Sequence, residues 1–94
     1  MEVFMKAFLD AQVRMVRTTS HKMNVQEAVG VAGHLVAEKG EALLFFYRDG
    51  VERVALTTSP VQKIARQGDR FLIRTKTGTT YVFSRNEKGD VSRA

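Results

Sequence analysis

Three tight-turn signals at near-regular spacing constrain the second half of this chain more than any other feature. Asp49-Gly50 separates Ala42–Arg48 from Val51–Thr57, Gly68-Asp69 separates Val61–Arg66 from Arg70–Lys76, and Gly78 stands between Thr75 and Thr79–Arg85. Asp-Gly and Gly-Asp between runs rich in aromatic and β-branched residues are strong hairpin signals, because a two-residue loop needs backbone angles that glycine adopts without steric conflict. Residues 42–85 therefore read as an antiparallel meander of four or five strands.

Each turn fixes a register, and the register divides the side chains between two faces. With Asp49-Gly50 as a two-residue loop, Arg48 opposes Val51, Phe46 opposes Arg53, Phe45 opposes Val54 and Leu43 opposes Leu56. With Gly68-Asp69 as the next loop, Ile64 opposes Ile73 and Lys63 opposes Arg74. A three-residue loop Lys76-Thr77-Gly78 sets Ile73 against Tyr81 and Phe71 against Phe83. A two-residue loop would set Arg74 against Tyr81, so hydrophobic matching selects the longer one. The core face then collects Leu43, Phe45, Val54, Leu56, Ile64, Phe71, Ile73, Tyr81 and Phe83. The other face collects Phe46, Arg48, Arg53, Lys63, Arg70 and Arg74, mixed with Ala65, Leu72 and Val82. Arg66 and Arg85 fall on the core face by parity and are expected near strand ends, their stems on apolar surface and their heads in water. Ser59-Pro60 can begin either a strand or a short helix over 60–67. The strand is preferred, since proline is admitted at a strand's first position and Ile64 then pairs with Ile73.

The first half reads as two helices. Over residues 3–17, Phe4, Phe8, Ala11 and Met15 recur at spacings of four, three and four, with Lys6, Asp10, Arg14 and Arg17 on the opposite side. A rival reading makes Val13–Thr18 a strand, because alternation and β-branching are both present. Over residues 24–39, Asn24 and Glu27 form a capping-box-like start, Gly40 forms a stop, and Val25, Val29, Ala32 and Val36 form a stripe. Gly30 and Gly33 each cost such a helix about 1 kcal/mol relative to alanine. The expected fold class is α+β: two N-terminal helices packed on one face of a four- or five-stranded antiparallel β-meander. A curled five-stranded version would resemble a small barrel.

Ninety-four residues suit one domain, 1–94, and a hydrophobic fraction of 44% with 27% charged residues is that of a soluble globular chain. Residues 86–94 are polar, lack periodicity and are expected to fray. The chain has no cysteine, which fits a reducing compartment. No apolar run approaches the roughly 20 residues that span a bilayer, and no signal-peptide pattern opens the chain. A cytoplasmic protein with no membrane partner is expected.

Charge is informative once the chain is divided. Residues 1–41 carry five Lys and Arg against five Asp and Glu, whereas residues 42–94 carry ten against five, so all of the formal +5 lies in the meander and its tail. Such asymmetry points to an anionic partner for that half. The leading expectation is a small nucleic-acid-binding module for single-stranded DNA or RNA, in which Arg48, Arg53, Lys63, Arg74 and Lys76 contact phosphates and Phe46 offers a stacking surface. The alternative is a protein-interaction module, a small regulatory protein or a homodimer, with Phe46, Leu72 and Val82 as its apolar interface.

Catalytic signals are thin. His21 follows Ser20 in a polar loop, but neighbours in sequence do not make a nucleophile and base pair. His34 and Glu38 stand four apart on the expected helix, with no third metal ligand identifiable. Gly30 to Gly33 lie inside that helix with no preceding strand, so they do not form a phosphate loop. No enzyme activity, cofactor or metal is expected.

Overall fold

Alternation between inward and outward side chains, the signature of a strand, governs the N-terminal half of the molecule as fully as the C-terminal half. The computed structural model describes residues 4, 5 and 7–85. In chain order the elements are β1 (Phe4–Met5), β2 (Phe8–Thr18), α1 (Met23–Gln26), β3 (Ala32–Glu38), β4 (Ala42–Asp49), β5 (Glu52–Gln67), β6 (Arg70–Thr75) and β7 (Thr80–Arg85). From β2 to β7 each strand pairs antiparallel with the next. The last returns to the first, β7 pairing with β2 through Met15↔Phe83 and Thr18↔Tyr81. The result is a six-stranded up-and-down barrel in which none of these strands is left as an open edge. Short β1 adds to β5, with Phe4 opposite Arg66 and Met5 opposite Ala65.

The two expected helices are therefore not present. The apolar residues of 3–17 satisfy period two as well as a helical period: Leu9, Val13 and Met15 are buried, Ala11 is half-buried between them, and Asp10, Gln12 and Arg14 face outward. The rival strand reading of Val13–Thr18 identifies part of β2. Within 24–39 only Met23–Gln26 is helical. Gly30 adopts φ +90°, which ends any helical path, and β3 then runs with Leu35 and Ala37 inward. The Asn24/Glu27 box is not used as a cap, because Lys22 occupies the cap position. Val25 and Ala28 from this connection are buried in the common core. The expected frayed segment 86–94 lies outside the described residues.

The C-terminal meander follows the expected faces, with one change of register. The β4–β5 hairpin pairs Asp49 with Glu52, Arg48 with Arg53, Tyr47 with Val54 and Phe45 with Leu56, so its loop is Gly50-Val51 and not Asp49-Gly50. Gly50, at φ +67°, takes the first central position of the loop, where a type II′ turn requires glycine. The shift preserves parity, so Leu43, Phe45 and Leu56 still share the core. In the next two hairpins the expected pairs occur: Ile64↔Ile73, Lys63↔Arg74, Ile73↔Tyr81 and Phe71↔Phe83.

Residues 60–67 are strand, the last part of a β5 that serves two neighbours in turn. Register shifts between Ala42 and Leu44 and between Val61 and Lys63 flank Pro60, so the residue without an N–H falls where β4 pairing gives way to β6 pairing. Arg66 lies at a strand end, its Nε donating to the Gly68 carbonyl and its guanidinium 5.7 Å from the centre of the Phe71 ring. Arg85, the last residue of β7, is exposed. Among the described residues no helix is long and apolar enough to cross a membrane.

Candidate nucleic-acid interface

Closing the sheet distributes the outward side chains around a cylinder, so residues on one face of a flat meander no longer share one surface. The expected contact residues separate into two groups joined by β5.

The first group lies on the β4–β5 hairpin. Arg48 and Arg53 are directly opposite each other, and Phe46, two residues before Arg48 on the same face, is 43% exposed. Together with Ala55 they border a concavity of about 480 Å³. Outward register continues from Phe46 through His34 on β3 to Gln12 on β2. There His34 is held at both ring nitrogens: Nε2 lies 2.6 Å from Asp10 Oδ1, and Nδ1 lies 2.9 Å from Gln12 Nε2. His34 therefore serves as a cross-strand link, and Glu38 lies four residues further along the same strand. Among the described residues no group of three potential ligands could hold a metal ion.

The second group lies on the β5–β6–β7–β2 side. Lys63 is opposite Arg74, Ala65 opposite Leu72, and Leu72 opposite Val82. Arg17, displaced by the bulge in β2, aligns with Val82. A groove of about 300 Å³ runs here, its apolar floor formed by Ala65, Leu72 and Val82 and its walls by Arg17, Lys63 and Arg70 among others. Val82 is only 2% exposed although it points away from the barrel interior, and Leu72 is 37% exposed. Lys76 stands apart from both groups, at the β6–β7 turn beside Pro60 and Gln62.

The apolar residues Phe46, Leu72 and Val82 likewise divide. Leu72 and Val82 are neighbours on β6 and β7, whereas Phe46 is on β4, which pairs with neither. On the outer surface the partners of Phe46 are instead Leu44, two residues before it, and Val36, opposite Leu44. Sequence reasoning missed Arg17 and Val36 because assigning their segments to helices removed them from the sheet; Leu44 was in the expected meander but was not named on either face. The alternation Asp10, Gln12, Arg14 against Leu9, Ala11, Val13 was the available signal.

Electrostatically the two groups share one property. Among the described residues the single contact within 4 Å between a carboxylate and a basic side chain is Asp10–His34, and Arg17, Arg48, Arg53, Lys63, Arg70 and Arg74 have no carboxylate partner. Asp49 and Glu52, next to the arginine pair, take the opposite parity. Burial first, then the charges of Asp49 and Glu27, push the Tyr47 hydroxyl above its ordinary value of 10.0. In comparisons with protein-family models, curated proteins and solved structures, nothing matches this chain.

Proposed function

We propose that this protein is a non-catalytic, cytoplasmic module that binds single-stranded nucleic acid, DNA or RNA, along the outer face of its barrel. The observation that carries the reading is a pair of like-charged rungs: Arg48 opposite Arg53, and Lys63 opposite Arg74, with no carboxylate among the described residues to relieve either. Like charges directly opposite across an antiparallel pair are destabilising, so a polyanion that neutralises both rungs gains more than one meeting isolated surface cations. Both rungs include β5, through Arg53 and Lys63. A single strand following β5 meets them in succession, and Phe46 beside the first rung offers a ring on which a base can stack.

Exposed apolar surface supports a second reading, a protein-interaction module. Leu72 and Val82 line one groove, and Phe46 with Val36 and Leu44 forms a separate half-exposed patch.

Amide shift mapping distinguishes the two. Adding a mixed-sequence single-stranded oligonucleotide shifts the amides of Arg48, Arg53, Lys63 and Arg74 on the first reading. Raising the protein concentration alone shifts those around Leu72 and Val82 if the chain associates with itself, and Leu72→Glu then abolishes the effect. Failure of the oligonucleotide to shift either rung contradicts the proposal.

A further inference from the structure

At the junction of the β2–β3 connection, the middle of β5 and the β6–β7 turn, the barrel leaves a polar pocket of about 290 Å³. None of its lining residues borders either basic groove. Part of its wall is internally committed. Thr58 Oγ1 donates to the Ser59 carbonyl and accepts from the Leu43 amide, while the Ser59 and Thr77 hydroxyls bond each other at 3.1 Å.

The rest of the wall is not committed. Tyr81 is 5% exposed, its ring in the core, and its hydroxyl has no hydrogen-bond partner among the described residues. Since no fully buried side-chain oxygen goes unpaired among the described residues, this hydroxyl is not sealed off, and Tyr81 is one of the residues that line the pocket. The Thr57 and Thr79 hydroxyls and the Lys22 ammonium are also without partners. The Ser20 Oγ accepts from the Lys22 amide, which leaves its own proton to donate. Burial raises the Tyr81 hydroxyl above its ordinary value of 10.0, so it remains a protonated donor at neutral pH.

The charge on this wall is of one sign. Among the described residues it offers several hydroxyls, the Asn24 amide and one ammonium, and no carboxylate. A neutral sugar leaves the ammonium charge unanswered and gains from an exposed aromatic face, which the buried Tyr81 ring does not offer. A tetrahedral oxyanion calls for donors and positive charge, which the hydroxyls, the Asn24 amide and Lys22 supply. The volume is at the lower end of small-molecule sites, room for a phosphate and a sugar-sized substituent.

We propose that this pocket binds the phosphate of a phosphomonoester, Lys22 countering its charge and the hydroxyls of Tyr81, Ser20, Thr57 and Thr79 donating to its oxygens. The phosphate can come from a free sugar phosphate or from the phosphorylated end of a nucleic-acid strand. Binding here does not depend on the basic rungs.

The test is titration with inorganic phosphate, ribose 5-phosphate and ribose, followed at the amides of Ser20–Val25 and Thr79–Tyr81. Both phosphates shift these amides and ribose does not. Tyr81→Phe, which removes one charge-assisted hydrogen bond, weakens ribose 5-phosphate about tenfold at an unchanged unfolding midpoint. Lys22→Gln weakens it at least as much, and Arg74→Gln leaves it unchanged. If Tyr81→Phe lowers the midpoint, Thr79→Val probes the same wall. A 5′-phosphorylated oligonucleotide that shifts the pocket more strongly than ribose 5-phosphate identifies a strand end as the source, and the reverse order identifies a small phosphomonoester. Equal shifts with ribose and ribose 5-phosphate, no shift with either phosphate, or undiminished binding in both Tyr81→Phe and Lys22→Gln overturns the proposal.

Discussion

Gly33 on β3 and Phe45 on β4 approach so closely that a methyl group does not fit between them. A Cβ on Gly33 would stand 3.0 Å from the Phe45 ring and only 2.3 Å from the Phe46 carbonyl oxygen. The ring occupies the place that a side chain at 33 would fill, and the backbone oxygen cannot swing away as a side-chain tip could. Gly33→Ala therefore forces β3 and β4 apart and costs about 1–3 kcal/mol, the range for overpacking. For a domain of this size each kilocalorie lowers the melting midpoint by about 4–8 °C, which a calorimetric scan reads directly. Because Phe46 is the next residue on β4, the same substitution disturbs the proposed stacking ring.

Burial and exposure on one hairpin give a paired prediction. Phe83 is fully buried, its ring centre 5.2 Å from that of Phe45, so Phe83→Ala costs about 3–5 kcal/mol in denaturant unfolding. Leu72 is partly exposed on the outer surface among Lys63, Arg70 and Arg74, so Leu72→Glu costs far less. An equal loss for the two would mean that Leu72 belongs to the core.

The two tyrosines contribute to the pH dependence of stability on the alkaline side. Burial raises both hydroxyls above 10.0 in the folded protein, with the charges of Asp49 and Glu27 adding to the effect at Tyr47. The folded state therefore holds these protons more tightly than the unfolded chain does. That contribution is complete below the unfolded value of 10.0 and is lost as pH climbs above it through the folded values. The chain has no other tyrosine, so tyrosinate absorbance reports these two alone. It develops later in native than in denaturant-unfolded protein, and in Tyr81→Phe the remaining delay is that of Tyr47 alone.

Breaking the Asp10–His34 contact changes little. The two side chains are 50% and 38% exposed, where ion pairs contribute about 0–1 kcal/mol at most. Asp10→Asn thus keeps the unfolding midpoint within that margin, whereas a larger loss would show that the link to Gln12 and His34 holds β2 and β3 in register.

The C-terminal half was legible because its turns carry glycine at fixed positions and its apolar residues alternate without ambiguity. The pairs Ile64↔Ile73 and Phe71↔Phe83 follow from those two facts alone. The N-terminal half was not, because Phe4, Phe8, Ala11 and Met15 satisfy a helical spacing while Leu9, Ala11, Val13 and Met15 satisfy a strand. Nothing local separates the two patterns; pairing of β2 with β7 decides, and that contact spans most of the chain. Barrel closure was the larger omission, since it assigns Phe46 and Leu72 to different sides although a flat sheet puts them together. The members of each cationic rung were legible individually. That Arg48 faces Arg53 required the loop to be Gly50-Val51.

Salt dependence of binding tests the central claim most directly. If Arg48, Arg53, Lys63 and Arg74 each neutralise one phosphate of a single strand, affinity falls with salt at a log-log slope of about −2.8, from about −0.7 per contact. Arg53→Ala and Arg74→Ala each make the slope shallower by about 0.7 and weaken binding alike on all sequences, while Lys39→Ala, in the β3–β4 turn, leaves it unchanged. None of the variants lowers the unfolding midpoint, and the two arginine variants, which each relieve a like-charged rung, hold or raise it. The same slope in all three variants would contradict the account, because the two rungs would then be no more than solubilising charge.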